Sequence, residues 1–422
     1  MTVAPELSSH GEAPRQRRAA VRLRTAAGAM AVALAAVVIL SGVWLHFQTN
    51  VGAVSSADAS SSVRPFTSSR LGPTPPASPT RGPAATVHTG TFRLTGSLPT
   101  PRVAETATLL ADGRVLVAGG SNDGSDALAS ASVYDPATGS FSRTGPLGSA
   151  RRNAVAARLL DGRVLVAGGD GPAKPTAELY DPKTGKFSPT GSMIAWRMDA
   201  KATLLLDGRV LIVAGDGNDT YAVVFAELYD PATGRFSRTG SMVTPRDSGF
   251  SATLLTDGRV LIAGGADKDV NTLATAEIFD PGTGKFTATG SMTTGRADHT
   301  ATRLSDGRVL MAGGSSPTLV QQDSAELYDP TTGTFTRTGS MAVARFGQTA
   351  TLLADGRVLI AGGSDPDTAG GGLHSAELYD PTSGIFSPAG SMHVGHWENS
   401  ALLLLDGHVL IFGDGDAELY EP

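Results

Sequence analysis

A basic residue recurs at nearly equal intervals along the chain: Arg102, Arg151, Arg197, Arg246, Arg296 and Arg345, with His396 in the seventh place. Guanidinium groups gathered around one opening would grip carboxylates, because the planar fork matches two acceptor oxygens. One expectation is therefore an anion-binding ring for carboxylate or sugar-acid groups. The other is structural, each Arg pairing with the recurrent Glu178, Glu227, Glu277, Glu326 and Glu377 or with backbone carbonyls. The seventh place is irregular, holding His393, His396, Trp397 and Glu398, with His374 upstream. Three imidazoles could ligate zinc or copper, or they could be polar loop residues with no metal.

Acidic pairs also recur, at Asp123/Asp126, Asp216/Asp219, Asp267/Asp269, Asp365/Asp367 and Asp414/Asp416. Carboxylates so placed could hold calcium, but none has the full spacing of a calcium loop, and Asp is a common turn residue. No metal or other cofactor is expected. The candidate ligand-binding set is the six Arg with His393, His396, Trp397 and Glu398. Zero cysteines exclude disulfides, thiolate nucleophiles and Cys-ligated metals.

The elements that position these residues follow from an internal repeat. The run Asp-Gly-Arg-Val-Leu begins at Asp112, Asp161, Asp207, Asp257, Asp306 and Asp355, and Asp-Gly-His-Val-Leu begins at Asp406. A second landmark, Ala-Glu-Leu-Tyr-Asp-Pro or a near variant, carries Tyr134, Tyr180, Tyr229, Phe279, Tyr328, Tyr379 and Tyr420. A third carries Phe92, Phe141, Phe187, Phe236, Phe286, Phe335 and Phe386. Asp-Gly between apolar runs is a hairpin signal, and the Asp-Pro-x-Thr-Gly stretch is a second turn. Each unit thus reads as four antiparallel strands, one propeller blade.

The run apolar-Gly-Gly, then Tyr-Asp-Pro, then an aromatic opening the fourth strand resembles the kelch repeat, over about Thr89 to Pro422. The resemblance implies an all-β, seven-bladed propeller, with Phe in place of the family's usual Trp. The Phe92 landmark precedes any Asp-Gly-Arg and none follows Tyr420, so the N-terminal strand is expected to close the last blade. A ring closed in this way has no long free edge. The Asp-Gly and Asp-Pro turns should share one face. The loops after Gly-Gly, which vary in length, should share the other with the Arg series.

Before the repeat, residues 26–45 run without a charge, and Arg15, Arg17, Arg18, Arg22 and Arg24 precede them. About 20 apolar residues match a bilayer core, and positive charge stays inside. The expected layout is a basic cytoplasmic tail (1–24), a transmembrane signal-anchor helix (25–46), a disordered Ser/Thr/Pro-rich linker (47–88) and an extracellular propeller (89–422). A cleaved signal peptide, giving a secreted domain, is the alternative. Net charge is −6, and the residues after the apolar stretch are more acidic still, so nucleic acid is not expected as a partner.

Two functions fit. One is a membrane-anchored, monomeric binding module that recognises a protein, glycan or cell-wall ligand through the variable face. The other is a carbohydrate-acting enzyme of mutarotase or epimerase type at the channel mouth. Within the resemblance, galactose-oxidase-type copper-radical chemistry needs a Tyr crosslinked to Cys, which this chain lacks.

Overall fold

The computed structural model describes residues 89–422 apart from 123–125, 172–174, 218–222, 319, 365–371, 398 and 414. The tail, membrane span and linker expected within residues 1–88 lie outside the described residues.

Each repeat folds as the turn chemistry requires. In the first, β2 (Thr106–Leu109) and β3 (Val115–Ala118) form a hairpin through Asp112-Gly113, with Gly113 at φ 89°. That left-handed backbone is strained for any residue with a Cβ. Then β4 (Ala131–Asp135) and β5 (Ser140–Arg143) complete an antiparallel sheet ordered β2-β3-β4-β5. Five further sheets repeat this order, with innermost strands β6 (Val155–Arg158), β10 (Lys201–Leu204), β14 (Ser248–Leu254), β18 (Thr300–Arg303) and β22 (Thr349–Leu352).

The seventh sheet closes the ring as the sequence indicates. Here β26 (Ser400–Leu403), β27 (Val409–Gly413) and β28 (Asp416–Glu421) are joined by β1 (Thr91–Leu94), with Phe92 opposite Tyr420. The innermost strands neighbour one another in order, and β2 meets β26. The described residues therefore form a seven-bladed all-β propeller. We number the blades from β2–β5, and the seventh contains both ends of the described chain.

The core lies between blades rather than within one. Val115, Val117 and Tyr134 of blade one pack with Leu404, Leu410 and Phe412 of blade seven, and similar clusters fill the other joints. Every second strand reads Val-Leu-Val-Ala or a close variant and is buried on both faces.

In six blades the buried aromatic is the Tyr of the third strand rather than the Phe of the fourth; blade four has Phe279 in that place, and its fourth-strand Phe286 is buried too. Tyr328 is 1% exposed, whereas Phe335 is half-buried and leans on it at 4.8 Å between ring centroids. The tyrosine hydroxyl reaches the preceding blade, sharing hydrogen bonds at Thr95–Tyr134, Thr144–Tyr180, Thr190–Tyr229, Thr289–Tyr328 and Thr338–Tyr379 at 2.8–3.0 Å. Tyr328→Ala should cost about 3–5 kcal/mol, the range for a large buried aromatic. Tyr328→Phe, which copies Phe279 of blade four, should cost about 1 kcal/mol for the lost bond. Chemical denaturation of the full chain measures both, and equal losses would show that the ring contributes little beyond its hydroxyl.

Candidate functional site

The face opposite the Asp-Gly turns gathers the Arg series, the loops after Gly-Gly and the start of every innermost strand. Each Arg sits in the linker that crosses from the outer strand of one blade to the inner strand of the next. All six are at most 1% exposed. A guanidinium cannot stay buried without acceptors, and the terminal nitrogens of these find them, although among the described residues Nε of Arg151, Arg246 and Arg296 has none. Arg296 donates to the carbonyls of Gly313 (2.8 Å) and Ser324 (3.0 Å), to Ser324 Oγ (3.2 Å) and to Glu326 (3.0 Å). Arg151, Arg197, Arg246 and Arg345 pair likewise with Glu178, Glu227, Glu277 and Glu377 at 2.8–3.3 Å. In the blade of Arg102, Ser132 occupies the position of the glutamate. Arg102 is satisfied by Gly119 O, Ser130 O, Ser130 Oγ and Thr100 O.

The glutamates do more than neutralise. Glu277 also accepts the backbone N–H groups of Val243 and Thr244, and Glu377 those of Ala342 and Val343, fixing the linker that carries the Arg. The Arg carbonyls then take the N–H of the previous blade's second Gly: Arg151 from Gly120, Arg296 from Gly265 and Arg345 from Gly314. Burial lowers the Arg197, Arg246, Arg296 and Arg345 pKa values, opposed by the paired carboxylate. An external anion could reach these guanidinium groups only by displacing bonds that hold one blade to the next.

In blade seven, His396 takes the arginine's place and is 3% exposed, its Nε2 3.9 Å from buried Glu418. Glu418 accepts the N–H groups of His393 and Val394 and lies 2.9 Å from His393 Nδ1. Trp397 is partly exposed, and Glu398 lies outside the described residues. His374 Nδ1 instead meets the Met392 carbonyl. Among the described residues no three His, Asp or Glu side chains are placed to hold a metal ion. Of the acidic pairs, Asp123, Asp219, Asp365, Asp367 and Asp414 lie outside the described residues. Asp267 caps its own turn through Asp269 and Asn271.

A second ring, two residues past the Arg positions, escapes a reading based on the strongest landmarks. Ala104, Asn153, Asp199 and Asp298 all have positive φ, near 52–56°, as does Gly347 at 65°. Their backbones bond around the axis: Asn153 N to Ala104 O, Asp199 N to Asn153 O, Asp298 N to Gly249 O and Gly347 N to Asp298 O. Positive φ at non-glycine residues costs energy and concentrates where geometry is over-determined. Aligning the repeats on Arg would have shown the Ala/Asn/Asp/Gly set typical of left-handed backbone.

This ring also carries polar side chains. Asn153 donates to the Asp199 carboxylate at 2.5 Å. Asp298 lies over Gly249, where a Cβ would come within 2.8 Å of its Oδ1. Asp298 is exposed at the surface. Burial raises the pKa of both Asp199 and Asp298, opposed at each by Lys201, and at Asp199 also by the Asn153 hydrogen bond.

Next to this ring, His299 is packed against Gly264, with Nε2 3.1 Å from Ser251 Oγ. Burial, then the Arg296 charge, lowers its pKa to about 3. The unfolded chain binds a proton that the folded chain refuses, so stability should fall as pH drops from about 6.5 towards 3, by about 1.4 kcal/mol per unit. His299→Gln, which copies Gln348 at the same place in the next blade, should remove that part of the acid sensitivity. Identical pH–stability curves between pH 7 and 4.5 for variant and parent would contradict this.

The Kelch motif family model matches residues 103–148, which span blade one. No curated protein sequence matches the chain. Among solved structures it resembles a fungal alcohol oxidase of the AA5 family, solved in complex with copper, at 20% identity, TM-score 0.66, over 79% of this chain and 77% of that one. It also resembles YjhT at 14% identity, TM-score 0.54, over 69% of this chain and 98% of that one. At these identities the likeness is one of fold.

Proposed function

We propose that this kelch-motif propeller is a binding module, exported and held at the cell membrane by the span at residues 25–46, with the linker 47–88 spacing it from the bilayer. The uncharged stretch 26–45 behind five arginines supports the anchor and its orientation. The ligand is a protein, glycan or cell-wall component met by the face bearing the Gly-Gly loops.

The observation that carries this reading is the division of labour between the two rings. The arginines are buried and bonded within the joints, while Asn153, Asp199 and Asp298 lie two residues beyond them, Asn153 bonded to Asp199 and Asp298 exposed. Carboxyl and amide groups there can exchange hydrogen bonds with hydroxyl-rich ligands, and His393 and Trp397 add an exposed imidazole and indole. The same two carboxyls favour a second reading, a carbohydrate-acting enzyme of mutarotase or epimerase type, because a raised carboxyl pKa suits proton transfer.

Intact cells producing the full chain test both parts. External protease should remove the propeller, and a propeller protected until lysis would overturn the orientation. Purified full chain should bind members of an array of neutral and acidic glycans and wall polysaccharides. Asp199→Asn with Asp298→Asn should weaken that binding at least tenfold, about 1.4 kcal/mol. Binding untouched by that pair and by Trp397→Ala would remove the mouth from the account. Anomerisation or epimerisation of a bound sugar would favour the enzyme.

A further inference from the structure

The repeat supplies a control for every surface position, and blade three departs from it at one corner of the face bearing the Gly-Gly loops. In five blades the residue before the buried Ala of the third strand is Ser or Thr, and its hydroxyl accepts a hydrogen bond from that blade's Arg: Ser130, Thr176, Thr275, Ser324 and Ser375, at 3.0–3.3 Å. Blade three has Phe225 there, opening β12 (Phe225–Asp230). Arg197 does without a hydroxyl, because its Nε and Nη2 both donate to Glu227 and Nη2 also donates to the Phe225 carbonyl. The joint therefore does not call for an aromatic ring. The ring meets an outer cation as well: Arg238 of β13 (Arg235–Ser241) has its guanidinium carbon 4.2 Å from the ring centroid, and that of Arg197 lies at 4.9 Å. Arg238 is exposed. Glu227, opposite Arg238 across the strands, is taken by Arg197, and among the described residues no carboxylate pairs with Arg238.

Aliphatic side chains flank this stack. Val224 precedes Phe225, and its carbonyl accepts the N–H of Met242, which places Val243 beside it. On the incoming linker, Ile194 donates its N–H to Glu227 of the same blade. Ile194, Val224 and Val243 are 36–66% exposed. At the place of Ile194 and Val243 the adjoining linkers carry Gly148 and Thr293, and at the place of Val224 the adjoining blades carry Pro175 and Ala274. Blade three thus adds exposed aliphatic surface where its neighbours have little.

We propose that this corner is a docking surface for a protein segment that sets an Asp or Glu among aliphatic side chains. The carboxylate meets Arg238, and the aliphatic groups cover Ile194, Val224 and Val243. Charge selects the anion: a guanidinium resting on an aromatic face keeps its N–H edge free for a two-pronged bond to a carboxylate. The apolar surroundings select the rest, since an Arg and an aromatic ring enclosed by apolar contacts are the arrangement on which protein interfaces concentrate binding energy. Hydroxyl-rich ligands would leave the three aliphatic side chains without apolar cover. The inference rests on the Gly-Gly loop face being the binding face, but it uses none of Asn153, Asp199 and Asp298.

A display library of random peptides, panned on the full chain, provides the probe. Enriched sequences should carry Asp or Glu beside Leu, Ile or Val. A synthetic peptide from that pool should bind the parent and lose about tenfold or more in affinity to Arg238→Glu and to Phe225→Ser, the second copying Ser324 and Ser375. Val243→Thr, which copies Thr293, should weaken binding in the same direction by less. Thermal midpoints equal to the parent's show that a variant is folded. If Phe225→Ser does not fold, Arg238→Glu and Val243→Thr decide, since both change exposed side chains. A pool without acidic residues, no enrichment at all, or a peptide that binds parent and folded variants alike overturns the proposal. Glycan binding that depends on Asp199 and Asp298 is read with other ligands and other variants, so either result can fail while the other stands.

Discussion

The fold depends on one constraint: a charge taken out of water must be met by an opposite charge and by hydrogen bonds. In five joints a buried Glu and a buried Arg meet that condition for each other. The Glu holds the N–H groups of the incoming linker, and the Arg gathers the carbonyls where the second and third strands diverge. The linker is thereby fixed at both ends, and the Arg carbonyl is set to receive the preceding blade's Gly N–H. Geometry passes from blade to blade through this pair, and the Tyr–Thr bond and the apolar clusters pack on the frame it fixes.

That frame commits the arginines to the joints between blades. These guanidinium groups are buried and bonded to protein acceptors, so the repeat's most conspicuous basic residue is committed to the joint. Side chains two positions later have no such duty. Their backbones are linked in two runs, Ala104–Asn153–Asp199 and Gly249–Asp298–Gly347, and Asn153, Asp199 and Asp298 are the polar side chains carried there.

Blade number, closure by β1 and the two faces were legible because turn chemistry and apolar runs recur with landmarks that only a four-stranded unit satisfies. The Arg–Glu pairing was legible as one of two alternatives, since sequence shows that Arg and Glu recur together but not that both are buried. Two things were hidden. Phe and Tyr both alternate with polar residues, so periodicity could not tell that Tyr is sealed between blades while Phe lies half-open on the outer strand. The ring of Asn153, Asp199 and Asp298 was missed because its members share a backbone conformation rather than a residue type. Blades six and seven, where Ala389, His396 and His408 replace the usual residue, show the repeat relaxed where the ends of the described chain meet.

The central claim is that buried Arg and Glu act as one unit, and a double-mutant cycle on Arg296 and Glu326 tests it most directly. Chemical denaturation of the full chain is measured for Arg296→Met, Glu326→Leu and the two together. Each single change should cost about 3–5 kcal/mol, because it strands the other charge in the joint. The double variant should fall roughly 2–3 kcal/mol short of the sum. Losses that add to within about 0.5 kcal/mol would show the two residues acting independently, and the joint would then need another explanation.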